Sequence, residues 1–92
     1  MSDAIVLITV KIGTANEVAQ TIADLEGVSE VFSVAGDWDL VAVVRANERV
    51  GLTDIVPGGI AKVEGVENTR TLMAFKTFSK QDLSTAYDIG LD

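Results

Sequence analysis

Residues 25–31 read "LEGVSEV" and residues 63–69 read "VEGVENT", a near repeat 38 positions further along the chain. The match extends backwards to an alanine, so residues 23–28 correspond to residues 61–66. In both copies a glycine stands where an apolar helical pattern ends and a β-rich segment begins. Glycine adopts the positive φ of a helix end at the lowest steric cost. The repeat therefore predicts two halves of the same kind, each with a strand, a helix and a second strand.

The flanking patterns predict the individual elements of the first half and the strands of the second. β-branched residues are concentrated in four segments, which predict strands at residues 4–12, 28–35, 39–46 and 66–78. The first helix is predicted to open with a capping box between Thr14 and Glu17 and to end at Gly27. Its apolar stripe is predicted to consist of Val18, Ile22 and Leu25.

The second helix is less regular in sequence. Asn47 is a candidate N-cap, and Gly65 in the second copy of the repeat is the predicted end. The segment "PGG" at residues 57–59 lacks one backbone donor and has low helix propensity, so it predicts a kink or two short helical segments. An S-x-x-D start after the last strand predicts a short C-terminal helix over residues 80–89. The inner face of the second helix is predicted to carry Leu52, Ile55 and Val56.

The order of these elements predicts the fold class. Right-handed crossovers in two β-α-β halves favour an α+β, ferredoxin-like βαββαβ fold. Its four-stranded antiparallel sheet has the strand order 4-1-3-2, and both helices lie on one face. Two helices bury one face of such a sheet and leave the other face open.

The open side of the predicted sheet is also apolar. In the first strand Ile5 and Leu7 alternate with Ala4, Val6, Ile8 and Val10, and in the third Val41 and Val43 alternate with Leu40, Ala42 and Val44. A monomer rarely exposes an apolar patch of more than several hundred Å². The second face is therefore predicted to meet a copy of itself, which gives a homodimer with facing sheets, a dimeric α+β barrel.

Composition excludes several classes of function. The chain has 92 residues, 48% of them hydrophobic, which suits one buried core. A net charge of −7 repels phosphate backbones, so direct nucleic-acid binding is not expected. The start "MSDAIVLITV" lacks the basic segment of a signal peptide, and no apolar run reaches the ~20 residues of a membrane span, so the expected location is the cytoplasm.

The candidate site lies at the turn between the second and third strands. Asp37 and Asp39 flank Trp38 after Gly36, while Thr69 and Thr71 lie on one side of the last strand. The two acids, the hydroxyls and nearby amides would suit a small zwitterion. Each residue also has a purely structural alternative: an Asx-type bond for the first acid, solvation for the second, packing for the indole, and cross-strand pairing for the threonines.

Catalysis, metal binding and cofactor binding are not expected from this residue set. The chain has no His and no Cys, so the commonest general base and the thiol nucleophile are both missing. Two lone carboxylates supply fewer oxygen ligands than hard-cation sites use.

The segments "VFSVAGDWDLVAVVRA" and "GVENTRTLMAF" together resemble the effector-binding domain of the Lrp/AsnC (feast/famine) transcription regulators, known as the regulation of amino acid metabolism domain. The resemblance covers roughly residues 4–78. Gly36, Asp37 and Asp39 match the turn motif of that family, Thr69 and Thr71 match its last-strand threonines, and Trp38 occupies a variable position. The "PGG" segment and the sequence after residue 78 depart from the pattern.

This resemblance implies a ligand-binding domain over residues 1–78 followed by a tail over residues 79–92. It implies sheet-to-sheet dimers, often assembled further into octamers (tetramers of dimers), with an amino-acid effector bound between dimers near the turn. Family members carry an N-terminal helix-turn-helix domain, whereas this chain starts at the first strand. The expectation is therefore a stand-alone module that acts through partners, among them a full-length Lrp/AsnC-type regulator.

Three functions follow from these observations. The first is a non-enzymatic, oligomeric sensor of an amino acid or related metabolite. The second is a small cofactor-free enzyme of the dimeric α+β barrel type, since the fold alone does not exclude it. The third is an assembly adaptor that binds no ligand.

Overall fold

A computed structural model describes residues 2–78 and 80 of the chain. The elements follow in the order β1 (Ser2–Val10), α1 (Ala15–Ala23), β2 (Val28–Ser33), β3 (Leu40–Ala46), α2 (Leu52–Ile55), a 3-10 helix (Ile60–Lys62) and β4 (Val66–Met73). The antiparallel sheet has the order β2-β3-β1-β4, which is the predicted order 4-1-3-2 read from the other edge. The predicted α+β, ferredoxin-like fold is confirmed.

The core lies between the helices and one face of the sheet, as the alternation of apolar residues predicts. Side chains at alternate positions of the two central strands are buried there together with residues of the helical layer. The buried set comprises Ala4, Val6, Ile8 and Val10 from β1, Leu40, Ala42, Val44 and Ala46 from β3, and Val18, Ile22, Ile55, Val56 and Ile60 from the helical side.

The opposite face of the sheet carries a second apolar surface, which we call the open face. The strand register places its members side by side: Leu7 is paired with Val41 and Arg70, and Ile5 with Val43 and Leu72. Phe32 on β2 lies opposite Val41. Phe32 and Leu72 are each 49% exposed. The open face is formed by Ile5, Leu7, Phe32, Val41, Val43 and Leu72.

The repeated glycines have positive φ in both halves, +93° at Gly27 and +101° at Gly65. A Cβ at Gly27 would lie 2.8 Å from Cγ1 of Ile55, and a Cβ at Gly65 would lie 2.7 Å from Cγ2 of Val18. Each glycine therefore follows the helical segment of its own half and provides space for a buried side chain from the other half.

Each copy of the repeat also contains a β-bulge at the start of an edge strand. The register shifts between residues 28 and 30 of β2, where Ser29 has no partner, and beside Val10 of β1, where Glu67 of β4 has none. Ser29 and Glu67 occupy equivalent positions of the two sequence copies. The opening repeat thus encodes a glycine, a valine and a bulge at the start of both edge strands.

The predicted start and end of the first helix are wrong in detail. The hydroxyl of Thr14 donates to the carbonyl of Lys11 at 2.7 Å and makes no cap hydrogen bond to α1. Ser and Thr side chains often bond to nearby backbone in this way, in competition with capping. The helix ends at Ala23, so Leu25 and Gly27 lie beyond it, although Leu25 still packs against the core.

The second helix starts later than predicted, because Asn47 serves a turn instead of capping. Its Oδ1 accepts hydrogen bonds from the backbone N–H groups of Arg49 (2.8 Å) and Val50 (2.9 Å). The helix begins after Gly51, whose N–H donates to the Asp54 carboxylate at 3.1 Å. The predicted division at residues 57–59 is confirmed, since α2 and the 3-10 helix are separate short segments.

Three strands are shorter than predicted, since β2 ends at Ser33, β3 begins at Leu40 and β4 ends at Met73. The first strand is shifted, because it spans Ser2–Val10 instead of residues 4–12. Just after β4, the N–H of Ala74 donates to the carbonyl of Asp3 at 3.0 Å, one residue from the start of β1 at Ser2. The predicted helix over residues 80–89 lies outside the described residues. No helix among residues 2–78 is long and apolar enough to cross a membrane.

Candidate functional site

The turn between β2 and β3 is fixed to the end of β1 through Asp39. The backbone N–H of Asp39 donates to the carbonyl of Ile8 at 2.9 Å, and its carboxylate accepts from the N–H of Val10 at 2.9 Å. Its carbonyl accepts from the N–H of Val34 at 3.0 Å, which closes the turn. The alternative that Asp39 is merely solvated is therefore wrong, because its side chain satisfies a backbone donor that β3 leaves unpaired.

Gly36, Asp37 and Trp38 form the tip of this turn. Gly36 has a φ of +119°, and a Cβ added to it would meet no atom within 4 Å, so the tip is open to solvent on that side. Asp37 is exposed, and among residues 2–78 no hydrogen bond is formed to its carboxylate. The Asx-type bond considered as an alternative is thus not formed. Trp38 is half-buried beside it.

The two threonines lie on the helix-covered side of the sheet. Thr69 is paired with Ile8 and Thr71 with Val6, and directly paired residues share a face. Thr69 is half-buried, whereas Thr71 is exposed at the β4 edge. Asp39 precedes the buried Leu40 and so points to the opposite face. Within one chain, the sheet therefore separates the side chain of Asp39 from those of the two threonines.

A separate groove, not predicted from the sequence, lies between the start of α1 and the start of β4. Its volume is about 590 Å³, and its lining includes Lys11, Thr14, Glu17, Glu64 and Gly65. None of the six predicted site residues lines it. The lining residues come from two segments more than 40 positions apart, and the one local signal, a glycine before a helix start, is too common to single them out. Among the described residues, no cluster of three or more acidic side chains could hold a metal ion.

The element order and the strand order define a domain of the ferredoxin-like α+β class. The family model for the Lrp/AsnC ligand binding domain matches residues 3–83. This chain belongs to that family. The resemblance stated from the turn and last-strand motifs is thereby confirmed.

Relatives with known sequences or structures agree with this assignment. The uncharacterized HTH-type transcriptional regulator PH1916 of Pyrococcus horikoshii is 40% identical over 68 residues, which cover 74% of this chain and 45% of that regulator. The crystal structure of TTHA0845 from Thermus thermophilus has a TM-score of 0.78 at 42% identity, covering 87% of this chain and all of that one (100%). The chain thus spans about half the length of the curated relatives that it matches.

A third comparison concerns a protein with a bound amino acid. The complex of the transcriptional regulator NMB0573 of Neisseria meningitidis with L-Met has a TM-score of 0.71 at 15% identity, covering 85% of this chain and 52% of that one. At this identity the likeness shows the shared fold alone.

Proposed function

We propose that this domain is a non-enzymatic sensor that binds a small amino acid or related metabolite at a site shared between subunits and passes the bound state to a partner protein. The observation that carries the proposal is the tip of the β2–β3 turn. There the exposed Asp37 carboxylate is free of hydrogen bonds among the described residues, and the next residue in sequence is the half-buried Trp38. A free carboxylate beside an aromatic ring suits an ammonium group with an apolar substituent.

The separation of the threonines from the acids supports a site between subunits. Thr69 and Thr71 lie on the helix-covered face, and Asp39 points away from it, so one chain offers incomplete recognition. A second subunit placed against the turn would supply the missing hydroxyls and amides for the ligand carboxylate. The regulator NMB0573 with bound L-Met is a neighbour of the same fold, which adds support for an amino acid as the ligand class.

The open face supports a dimer as the basic unit of the assembly. Its six apolar side chains include Phe32 and Leu72, both about half exposed at 49%. Burying such a surface contributes ~25 cal/mol per Å² of apolar area. Facing sheets from two copies would form the two-chain barrel, and four such dimers an octamer.

The link between Asp39 and β1 offers a route from the ligand to the assembly. The turn is bonded to Ile8 and Val10, which belong to a strand at the centre of the sheet. A ligand shifts an assembly equilibrium by its difference in affinity for the two states. A ligand that fits one arrangement of neighbouring dimers would therefore favour that arrangement.

The ligand part of the proposal is tested by thermal unfolding with each of the twenty amino acids, with light scattering to report mass. A ligand at ~100 times its dissociation constant adds ~2.7 kcal/mol, which raises the midpoint by about 4 to 8 °C per kcal/mol for a domain of this size. Asp37→Ala is expected to abolish binding by calorimetry and to leave the dimer intact. Glu48→Ala, which removes another exposed acid, is the matched control. Unchanged affinity in Asp37→Ala would remove that residue from the site.

The dimer part is tested separately with Ile5→Asp, which places a charge between Val43 and Leu72 on the open face. The expected result is a folded monomer by light scattering and circular dichroism, because a charge is costly to bury without a partner. Lys62→Asp on the helical side is the control. An Ile5→Asp protein that remains a dimer would show that the open face is not the interface.

If the domain is an assembly adaptor, none of the twenty amino acids will raise the unfolding midpoint, and light scattering will still show a stable oligomer. The family consists of transcription regulators, and no feature of the described residues favours the cofactor-free enzyme. Three statements stay predictions: action through a partner regulator, absence of direct nucleic-acid binding, and a cytoplasmic location. The net charge of −7 supports the absence of direct nucleic-acid binding.

A further inference from the structure

Two charged side chains stand among the apolar residues of the open face. Glu30 of β2 is paired with Val43 of the open face, on the neighbouring strand β3. Arg70 of β4 is paired with Leu7 of the open face, on the neighbouring strand β1. Directly paired residues share a face of the sheet, so both charges lie on the side that carries the open face. Both residues are exposed, and among residues 2–78 neither side chain forms an ion pair or a hydrogen bond.

Three further charged side chains on this side of the sheet have partners within the chain. Arg45 donates to the Asp3 carboxylate across the two central strands at 2.8 Å. The Asp39 carboxylate accepts from the backbone N–H at the end of β1 at 2.9 Å. Glu30 and Arg70 cannot meet in the same way, because β2 and β4 form opposite edges of the sheet, about 14 Å apart over three strand spacings. A protein counterion for either of them has to come from another chain.

A second copy of the chain carries the missing partner of each charge. Covering the open face removes water from the side chains on it, and a charge is costly to bury unless an opposite charge meets it. In a symmetric dimer, a contact from one residue to another is repeated in the reverse direction. Arg70 of one copy and Glu30 of the other therefore satisfy both charges with a single kind of contact, made twice.

The two charges also distinguish between two ways of placing the sheets face to face. With aligned strands, either β4 of one copy lies over β2 of the other, or each edge strand lies over its own counterpart. In the second arrangement the Arg70 side chains of the two copies lie near each other, and so do the Glu30 side chains. Like charges that face each other across an interface are costly. The charge pattern therefore favours the arrangement with β4 over β2.

The strand register gives the surroundings of Arg70 in this arrangement. Phe32, Val41, Leu7 and Arg70 form one row across the sheet. With β4 over β2, this row faces the same row of the other copy in reverse order, which places Arg70 over Phe32. Glu30 lies two residues before Phe32, on the same side of β2. The guanidinium can thus stack on the half-exposed ring and reach the carboxylate beside it.

We propose that a second copy of this chain covers the open face with its β4 over β2, and that Arg70 of each copy contacts Glu30 and Phe32 of the other. This inference rests on the proposed dimer and adds its orientation and the charged contact that selects it. Each dimer contains two such contacts, one on each side, where the edge strands of the two sheets meet.

The first test measures the dimer dissociation constant by analytical ultracentrifugation at low ionic strength, where charged contacts are least screened. Arg70→Glu and Glu30→Arg are each expected to raise the constant by about 10-fold or more, because two attractive contacts per dimer become repulsive. Arg70→Gln, which only removes the charge, is expected to raise it less. Lys62→Glu makes the same change in net charge on the helical side and is expected to leave the constant unchanged. An equal rise in Lys62→Glu, or unchanged constants in both charge-reversed variants, would overturn the contact.

The second test mixes the two charge-reversed proteins. A mixed dimer holds two pairs of opposite charges, whereas each single variant alone meets a copy with like charges. The mixture is therefore expected to dimerise with a constant near that of the wild type. The double variant Arg70→Glu/Glu30→Arg is expected to recover in the same way. A mixture that dimerises no better than its components would overturn the pairing of these two residues.

The dimer and its orientation fail in different ways. A monomeric wild-type chain would overturn both. If Ile5→Asp dissociates the dimer and the charge-reversed variants do not weaken it, the open face is the interface and the proposed orientation is wrong. Copies with each edge strand over its own counterpart already hold like charges in the wild type, so charge reversal would not weaken them.

Discussion

Gly65→Ala is the sharpest test of the account of the sequence repeat. The substitution places a Cβ 2.7 Å from Cγ2 of Val18 and 3.3 Å from Oγ1 of Thr14, at a φ of +101°. The positive φ alone costs a non-glycine residue about 1 to 2 kcal/mol. Val18 is buried in α1 and β-branched, so its stiff side chain cannot turn away easily, and overpacking adds about 1 to 3 kcal/mol. The expected loss of unfolding free energy is therefore about 2 to 5 kcal/mol.

The loss is measured by urea unfolding at one fixed protein concentration, because an oligomer's stability depends on concentration. Gly13→Ala is the matched control: Gly13 also has positive φ, +85°, but no atom lies within 4 Å of its Cβ position. It should lose only the conformational part, about 1 to 2 kcal/mol. Combining Gly65→Ala with Val18→Ala should relieve the overlap. The double variant should therefore lose less unfolding free energy than the sum of the losses of the two single variants. Equal losses at Gly65 and Gly13, or strict additivity with Val18→Ala, would refute the reasoning.

Two further predictions concern side chains that satisfy backbone donors. Asp39→Ala should lower the unfolding free energy by about 1 to 3 kcal/mol, because the N–H of Val10 loses its acceptor. Asp39→Asn keeps an acceptor and should lose less stability, so equal urea midpoints for the two variants would contradict the anchoring role of Asp39. Asn47→Ala should lower the unfolding free energy by about 1 kcal/mol, because two hydrogen bonds of the turn are lost, and Asn47→Asp is the control that retains both acceptors. An Asn47→Ala protein with the wild-type urea midpoint would show that the turn does not depend on this side chain.

The sheet could be predicted from the sequence because its signals are local and repeated. Alternation of apolar residues in β1 and β3 assigns each side chain to a face, and the structure buries the predicted set from Ala4 to Val10. The paired glycines mark the starts of β2 and β4. Together with the handedness of crossovers, these signals leave few strand orders to choose from.

The helix starts could not be predicted correctly, because a short polar side chain has several backbone partners within reach. Thr14 bonds backwards to Lys11, and Asn47 bonds forwards to Arg49 and Val50, where the sequence suggested helix caps. Both arrangements are compatible with the same residue types. The choice depends on the path of the chain before the helix, which no local pattern specifies.

The turn that carries the candidate residues could be predicted from the sequence, whereas the hydrogen bonds of Asp39 to β1 could not. The turn motif locates Asp37 and Asp39 in the sequence. Which of the two carboxylates bonds to the backbone depends on β1, whose end at Val10 lies 29 residues before Asp39. The backbone N–H of Val10 has no backbone acceptor there and donates to the carboxylate of Asp39. The groove beside Lys11 and Glu64 was missed for a similar reason, because its walls meet only after the sheet has formed.

The strand pairing has a consequence for how the domain folds. β1 pairs with β3 and β4, and β2 pairs with β3, so every ladder in the sheet joins the first half of the chain to the second. Among residues 2–78, neither half has a ladder hydrogen bond of its own, and the space beside each repeated glycine is filled by a side chain from the other half. Partial unfolding of one half would therefore remove the partners of the other. Amide protons of all four strands should exchange with solvent through a single global opening, as in one indivisible folding unit.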